Sequence, residues 1–430
     1  MDYNICTLTN GLRVIHRASA APVVYCGFGI AAGSRHEAPG DEGLAHFCEH
    51  VSFKGTERRR ACHIINCLER VGGDLNAFTN KEDTFYYAAV LSDHLSKAVD
   101  LLADIVFHST FPQPEIDKEV EIICDEIESY NDSPAELIYD EFENLVFARH
   151  PLGHNILGEA DRVRRFVTAD AQRFARQYYR PDNAVFFADG CIDFGRLIRM
   201  LCRAFDCAVA GRGSKRPDNV GDCNENGRQP THQNAHKMEE SSHFTVHEPQ
   251  LIVHNRHTHQ AHVMTGCRGY SAHDSRRIAL FLLNNILGGP GMNSRLNTNL
   301  RERHGLVYTV ESSMVSYGDT GLWGTYFGCD PHDVKRCLRL VRHELDRVCD
   351  HALSPTQLAN AKRQLKGQIG ISCDNRENFA LDCGKSFLHY GWEKDVSRLY
   401  QRIDAVTAQQ LQDVAQDILN PQHMTTLIYQ

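Results

Sequence analysis

Three residues close together in the chain can share one task. His46, Glu49 and His50 spell H-x-x-E-H. On a helix, positions four apart lie on one face a turn apart, so both histidines present imidazole nitrogens to one ion. Catalytic zinc takes three protein ligands and keeps a fourth position for water. Glu49 lies three residues from His46, on the flank of that face. A carboxylate there is placed to take a proton from an activated water. A third ligand must come from elsewhere. Glu119 and Glu126 are seven apart in a carboxylate-dense stretch, two turns on one helical face, with Val120, Ile123 and Ile127 on another. Packed against the first helix, this segment offers Glu126 to the ion and sets Glu119 nearby. A pair of ordinary helix histidines and a solvated acidic face are the plainer readings of the same residues.

These residues need elements to hold them. Asn10-Gly11 between Ile5–Leu8 and Leu12–His16 predicts a hairpin. A strand is expected over Val23–Ala31, then a Gly- and Pro-containing loop over Gly33–Gly43. Helices are expected over Leu44–Phe53, Ala61–Val71, Leu95–Phe107 and Ile116–Tyr130. Leu75–Leu91 reads as a strand hairpin turning near Asn80-Lys81. Residues 209–249 are polar, Gly- and Asn-rich and poor in apolar residues, and read as a linker. The chain therefore divides into an N-terminal zinc-binding unit (1–208), the linker (209–249) and a C-terminal unit (250–430).

The second half repeats the first faintly. A helix, a Pro break and a helix occur at Asp93–Ile116 and again at Asp333–Leu358. Aligning Glu115 with Gln357 gives an offset of 242 (357 − 115). On that offset Glu126 falls on Gln368, Glu119 on Ala361 and His46 on Gly288, so only the first copy carries metal-type residues. The expected fold class is α+β, with two homologous units of a sheet flanked by helices.

Composition narrows the function. The chain has 430 residues and a net charge of −9, unlike a binder of phosphate backbones. Its 16 cysteines are irregularly spaced, with no CxxC pair of the structural zinc type, and read as reduced, packed thiols. The N-terminus shows no basic or apolar leader pattern, and no apolar run reaches membrane-spanning length. Cytoplasm is the expected location, with no nucleic-acid or membrane partner.

Beyond the catalytic triplet, Gly43-Leu-Ala-His-Phe-Cys-Glu-His-Val-Ser-Phe-Lys-Gly-Thr56 resembles the pitrilysin/insulinase family of zinc peptidases, in which H-x-x-E-H inverts the H-E-x-x-H order. Gly72-Gly-Asp-Leu-Asn-Ala-Phe-Thr79, His150-Pro-Leu-Gly-His-Asn-Ile-Leu-Gly158 and Ile286-Leu-Gly-Gly-Pro-Gly-Met-Asn-Ser-Arg-Leu296 resemble further family signatures. Glu126 lies 76 residues after His50 (126 − 50), where the family places its third ligand. Arg301 and Tyr308 match a family Arg and Tyr seven apart, near the scissile carbonyl. The resemblance is to the short two-unit type, similar to processing-peptidase subunits and their bacterial relatives.

The resemblance implies one zinc per chain, Glu49 as general base, Glu119 as a supporting carboxylate, and Tyr308 with Arg301 as donors to the oxyanion. It implies that substrate pairs along the edge strand Asn76, Ala77, Phe78 and Thr79. It also implies that two chains close on a chamber that admits peptides or unfolded segments. A homodimer is the expected assembly, with a heterodimer of related subunits as the other form. A non-catalytic, peptide-binding or assembly subunit of the same family is the alternative function, and a metal-binding protein without hydrolytic activity a further one. The histidines around the linker (His232, His236, His243, His247, His254, His257, His259 and His262) are too scattered to predict a second metal site. Cys48 reads as a packed thiol, and Arg58–Arg60 as a solvated patch.

Overall fold

The computed structural model describes residues 3–209, 250–256 and 258–430. The linker from 210 onward and His232, His236, His243, His247 and His257 lie outside the described residues.

The first half runs β1 (Tyr3–Thr7), β2 (Arg13–Ala18), β3 (Val23–Ile30), α1 (Leu44–Ser52), α2 (Ala61–Glu69), β4 (Asp74–Thr79), β5 (Thr84–Leu91), α3 (Leu95–Phe107), α4 (Gln113–Asn131), α5 (Pro134–Val146), α6 (Ala160–Val163), α7 (Thr168–Tyr178), β6 (Ala184–Gly190) and α8 (Phe194–Ala204). The second half runs β7 (Leu251–His254), β8 (Ala261–Gly269), α9 (Arg277–Gly288), a π-helical stretch (Asn297–Arg303), β9 (Val307–Ser316), β10 (Gly321–Cys329), α10 (Val334–Asp350), α11 (Pro355–Ser372), α12 (Arg376–Tyr390), α13 (Val396–Ala405), α14 (Ala408–Ile418) and β11 (Thr425–Tyr429). The hairpins expected about Asn10-Gly11 and Asn80-Lys81 form β1–β2 and β4–β5.

The two sheets share one topology. The first has the order β1-β2-β6-β3-β5-β4 and the second β7-β11-β8-β10-β9. In each, one pair is parallel (β2 with β6, β7 with β11) and the rest are antiparallel. The second sheet lacks a counterpart of β1 among the described residues. Edge strands β4 and β9 occupy equivalent places, and each has one neighbour. The fold is thus a two-unit α+β arrangement.

The offset of 242 holds where helices dominate. It relates the starts of α4 and α11 (355 − 113) and of α5 and α12 (376 − 134). Upstream it fails, because α10 has 17 residues where α3 has 13. The ends of α1 and α9 differ by 236 (288 − 52). His46 therefore corresponds to Leu282 rather than Gly288, Glu49 to Asn285 and His50 to Ile286. The assignment of metal-type residues to the first unit alone is unchanged.

The packing crosses the boundary drawn at the linker. One face of the first sheet buries Val24, Phe28, Phe47 and Leu102 under its own helices. Its other face buries Ile15, Phe85 and Phe187 under Ala380, Cys383 and Phe387 of α12, from the second half. In return, Ile138, Phe142 and Val146 of α5 cover Met264 and Leu427 of the second sheet. A sheet needs both apolar faces covered, and each unit lends one helix to the other. Polar contacts follow the exchange. Arg13 donates to the carbonyls of Phe387 and Leu388 at 3.0 Å each, and Arg376 reaches the buried Asp189 at 2.5 Å.

Arg58–Arg60 is more than a solvated patch. Arg59 folds onto α3 and pairs with Asp100 and the buried Asp104, a carboxylate that needs a cation once removed from water. The described cysteines are free thiols. Among the described residues, no helix is long and apolar enough to cross a membrane.

Candidate metal centre

Helix α1 begins where Gly43 sits at φ 99°, a backbone state that favours glycine. A Cβ there would lie 2.8 Å from the carbonyl oxygen of Leu157. Glycine cannot cap the helix with a side chain, and Glu37 does so from outside. Its carboxylate accepts from the backbone N–H of Gly43 (3.0 Å) and of Ala45 (2.7 Å), and His154 Nε2 donates to it at 2.9 Å. The side chain is fully buried, and burial raises its pKa against these three donors. A negative group at a helix N-terminus also meets the positive end of the helix dipole.

Leu44, Ala45, Phe47, Cys48 and Val51 of α1 are buried in the core. That seats the opposite residues, His46, Glu49 and His50, toward α4 and β4. Helix α4 buries Ile116, Val120, Ile123 and Ile127 at helical spacing and packs on α1. Cys48 faces away from the site, with Sγ 3.9 Å from the Ala171 carbonyl, and burial lifts its thiol far from ionisation.

The ligand atoms of His46, His50 and Glu126 all lie within 4.8 Å of one another. His46 Nε2 is 3.8 Å from Glu126 Oε1, and His50 Nε2 is 3.4 Å from Glu126 Oε2. Tetrahedral ligands about 2.0–2.1 Å from zinc stand about 3.3 Å apart, so His50 and Glu126 are already at that spacing and His46 must draw in. Two imidazoles and one carboxylate are a zinc-type donor set. Among the described residues this is the one cluster of metal-type side chains so assembled.

Glu119 supports the site from behind. Its Oε1 accepts from His50 Nδ1 at 3.0 Å and its Oε2 from Lys54 Nζ at 2.6 Å. Burial raises the pKa of Glu119, but these two donors outweigh it and hold the group below the usual carboxylate range. An ionised carboxylate only accepts, so the Nδ1 of His50 carries the proton and Nε2 turns toward Glu126. Burial disfavours charge on His50 too, yet Glu119 and Glu126 push its pKa up to about 9. A dication in the cluster would displace the proton on Nε2 of this charged form and leave the one on Nδ1 with Glu119. His46 goes the other way: burial, then the neighbouring His50, lower it to about 4, which leaves a neutral imidazole. Glu49 is 8% exposed, and burial raises its pKa against a 2.6 Å hydrogen bond from the Thr79 hydroxyl to Oε2.

Asn76, Ala77, Phe78 and Thr79 lie on edge strand β4. Arg301 and Tyr308 lie elsewhere. They line a cavity of about 860 Å³ in the second unit, walled also by Asn285, Gly288 and Gln368 and by none of the metal-type residues. The guanidinium of Arg301 stands 5.8 Å from the Tyr308 ring, and Tyr308 is 78% exposed. The structure therefore gathers His46, Glu49, His50, Glu119, Glu126 and Thr79, and leaves Arg301 and Tyr308 apart.

Sequence reasoning missed Glu37, His154 and Lys54. Lys54 was within sight, four residues beyond His50 on the same run. Glu37 carried no local signal, because its role depends on a loop folding back onto α1. Replacing Glu37 with alanine strands two buried N–H groups. The expected cost is about 3 kcal/mol in denaturant unfolding, with weakened zinc binding. Unchanged stability would remove the external cap from the account.

A two-unit α+β fold with a His-His-Glu cluster beside a buried glutamate defines the class of H-x-x-E-H metallopeptidase-like proteins. The insulinase (peptidase family M16) model matches residues 13–160, and the peptidase M16 inactive domain model matches residues 165–365. An uncharacterised zinc protease of Streptomyces coelicolor is 35% identical over 96% of this chain and 86% of its own length. The Bacillus subtilis zinc protease YmxG, also uncharacterised, is 29% identical over 98% and 97%. The beta subunit of the bovine mitochondrial-processing peptidase is 29% identical over 96% and 81%. In fold, the chain matches a protease from Helicobacter pylori with a TM-score of 0.86 at 20% identity, covering 100% of this chain and 99% of that one. The chain belongs to the M16 family of zinc proteases.

Proposed function

We propose that this chain is a zinc-dependent endopeptidase or oligopeptidase that hydrolyses peptides or unfolded segments. The convergence of His46, His50 and Glu126 beside Glu49 carries the proposal. Zinc, when bound, supplies Lewis-acid polarisation of a water and of the scissile carbonyl. Glu49 takes the proton from the water and passes it to the leaving amine. Thr79 orients Glu49 through Oε2. Glu119 fixes the tautomer and tilt of His50.

Among the described residues the outer edge of β4 has no strand partner, so an extended peptide can add there through its backbone. Backbone pairing reads little sequence and suits varied substrates. Tyr308 and Arg301 would donate to the oxyanion from a second chain, because their own site is on another cavity. We therefore propose a dimer, identical or with a related subunit. The bovine relative is itself named as a subunit, which supports such pairing.

The test is metal removal. Cleavage of a mixed pool of quenched peptides should stop on chelation and return with about one zinc per chain. Zinc bound in that ratio without cleavage would instead favour a non-catalytic, peptide-binding subunit.

A further inference from the structure

The turn joining β4 to β5, residues Asn80 to Asp83, is held in an unusual way. Hairpin tips normally lie in solvent. Here Lys81 is 3% exposed and Asp83 is fully buried. Much of what grips them comes from the second half of the chain. Asp83 Oδ2 accepts from His389 Nε2 at 2.7 Å and from Lys385 Nζ at 3.2 Å, both on α12. Its Oδ1 accepts from Asn80 Nδ2 at 2.6 Å. Burial raises the pKa of Asp83, and these donors reverse that and lower it.

Glu82 accepts from the backbone N–H of Gly318 at 3.1 and 3.2 Å, in the turn between β9 and β10. Arg35 bridges Glu82 at 2.5 Å and Asp319 at 2.7 and 3.0 Å. Lys81 donates to the carbonyls of Leu152 (3.1 Å) and His154. Beside it, Glu143 accepts from the Tyr317 hydroxyl of the second unit. The turn follows directly on Thr79, the residue bound to Glu49.

We infer that the second unit positions the edge strand of the first through this turn, with Asp83 and Glu82 as the gripped residues and His389 and Asp319 as positioning residues. This rests on the reading of β4 as the substrate strand. An edge strand held by one neighbour is otherwise free to fray. Clamping its far end by buried, charge-assisted bonds keeps its outward N–H and C=O groups in one register for an incoming peptide. The second unit then has a part in substrate binding without touching substrate.

Amide hydrogen exchange on the full-length, zinc-loaded protein tests this directly. His389→Phe keeps the ring and removes the donor. Asp319→Asn, at the exposed end of the grip, serves where the first variant folds poorly. Arg256→Met is the control, because it breaks a pair between the halves, with Glu141, that touches neither the turn nor α12. Exchange in residues 74–79 should rise about tenfold in His389→Phe or Asp319→Asn and stay unchanged in Arg256→Met. Equal loosening in all variants, or none in the strand, overturns the inference.

A second readout uses the Glu49→Gln background, in which a quenched peptide is bound without cleavage. Its Kd should rise about tenfold on adding His389→Phe, with zinc content constant. If the Glu49→Gln parent binds no peptide at all, the peptidase reading fails, while the exchange result still decides the positioning.

Discussion

Glu49→Gln should lower peptide cleavage by roughly 10²- to 10⁴-fold while zinc stays at about one per chain. The change keeps the size of the side chain and keeps an oxygen for the Thr79 hydroxyl, so packing between α1 and β4 should survive. It removes only the ability to take a proton. None of the three ligand-type residues is touched, since Glu49 is not part of the cluster of His46, His50 and Glu126. Separate measurement of zinc and of turnover makes the result specific. Loss of both would mean that Glu49 holds the site together. Retention of both would remove Glu49 as the base and with it the proposed mechanism.

Much of this site was legible because it is local. His46 and His50 share a face by helical periodicity alone, and Glu119 and Glu126 do so again on α4. Those periodicities survive folding because both helices bury apolar stripes of the same period. The residues around the site were harder to read. Glu37 acts through a loop that folds back on Gly43, and Thr79 reaches Glu49 across 30 residues. Neither distance follows from periodicity. The repeat was legible in its helices, where one offset relates α4 to α11 and α5 to α12, and was misplaced upstream by the longer α10. The exchange of α5 and α12 between units left no sequence trace. Each is amphipathic in the ordinary way, and which sheet it covers is decided only by the path of the chain.

Mixing two inactive variants should restore activity. Tyr308→Phe removes the proposed donor to the oxyanion and should cost roughly 10²- to 10³-fold in kcat, and Glu49→Gln should be inactive for its own reason. Tyr308 does not share a cavity with the cluster of its own chain. It lines a cavity of the second unit, and the two units are joined by the exchanged helices and by buried bonds from Arg13, Arg376, Asp83 and Tyr317. Breaking a buried pair of this kind costs about 3–5 kcal/mol, so a hinge between the units is disfavoured. In the proposed dimer, a second chain would bring its Tyr308 to the first chain's Glu49. In a symmetric dimer formed from equal amounts of the two variants, half the dimers are mixed and each has one intact site, so about a quarter of wild-type activity should return. Recovery no greater than the sum of the two variants would show that the sites are not shared between identical chains. The search would then turn to a related subunit that supplies the tyrosine.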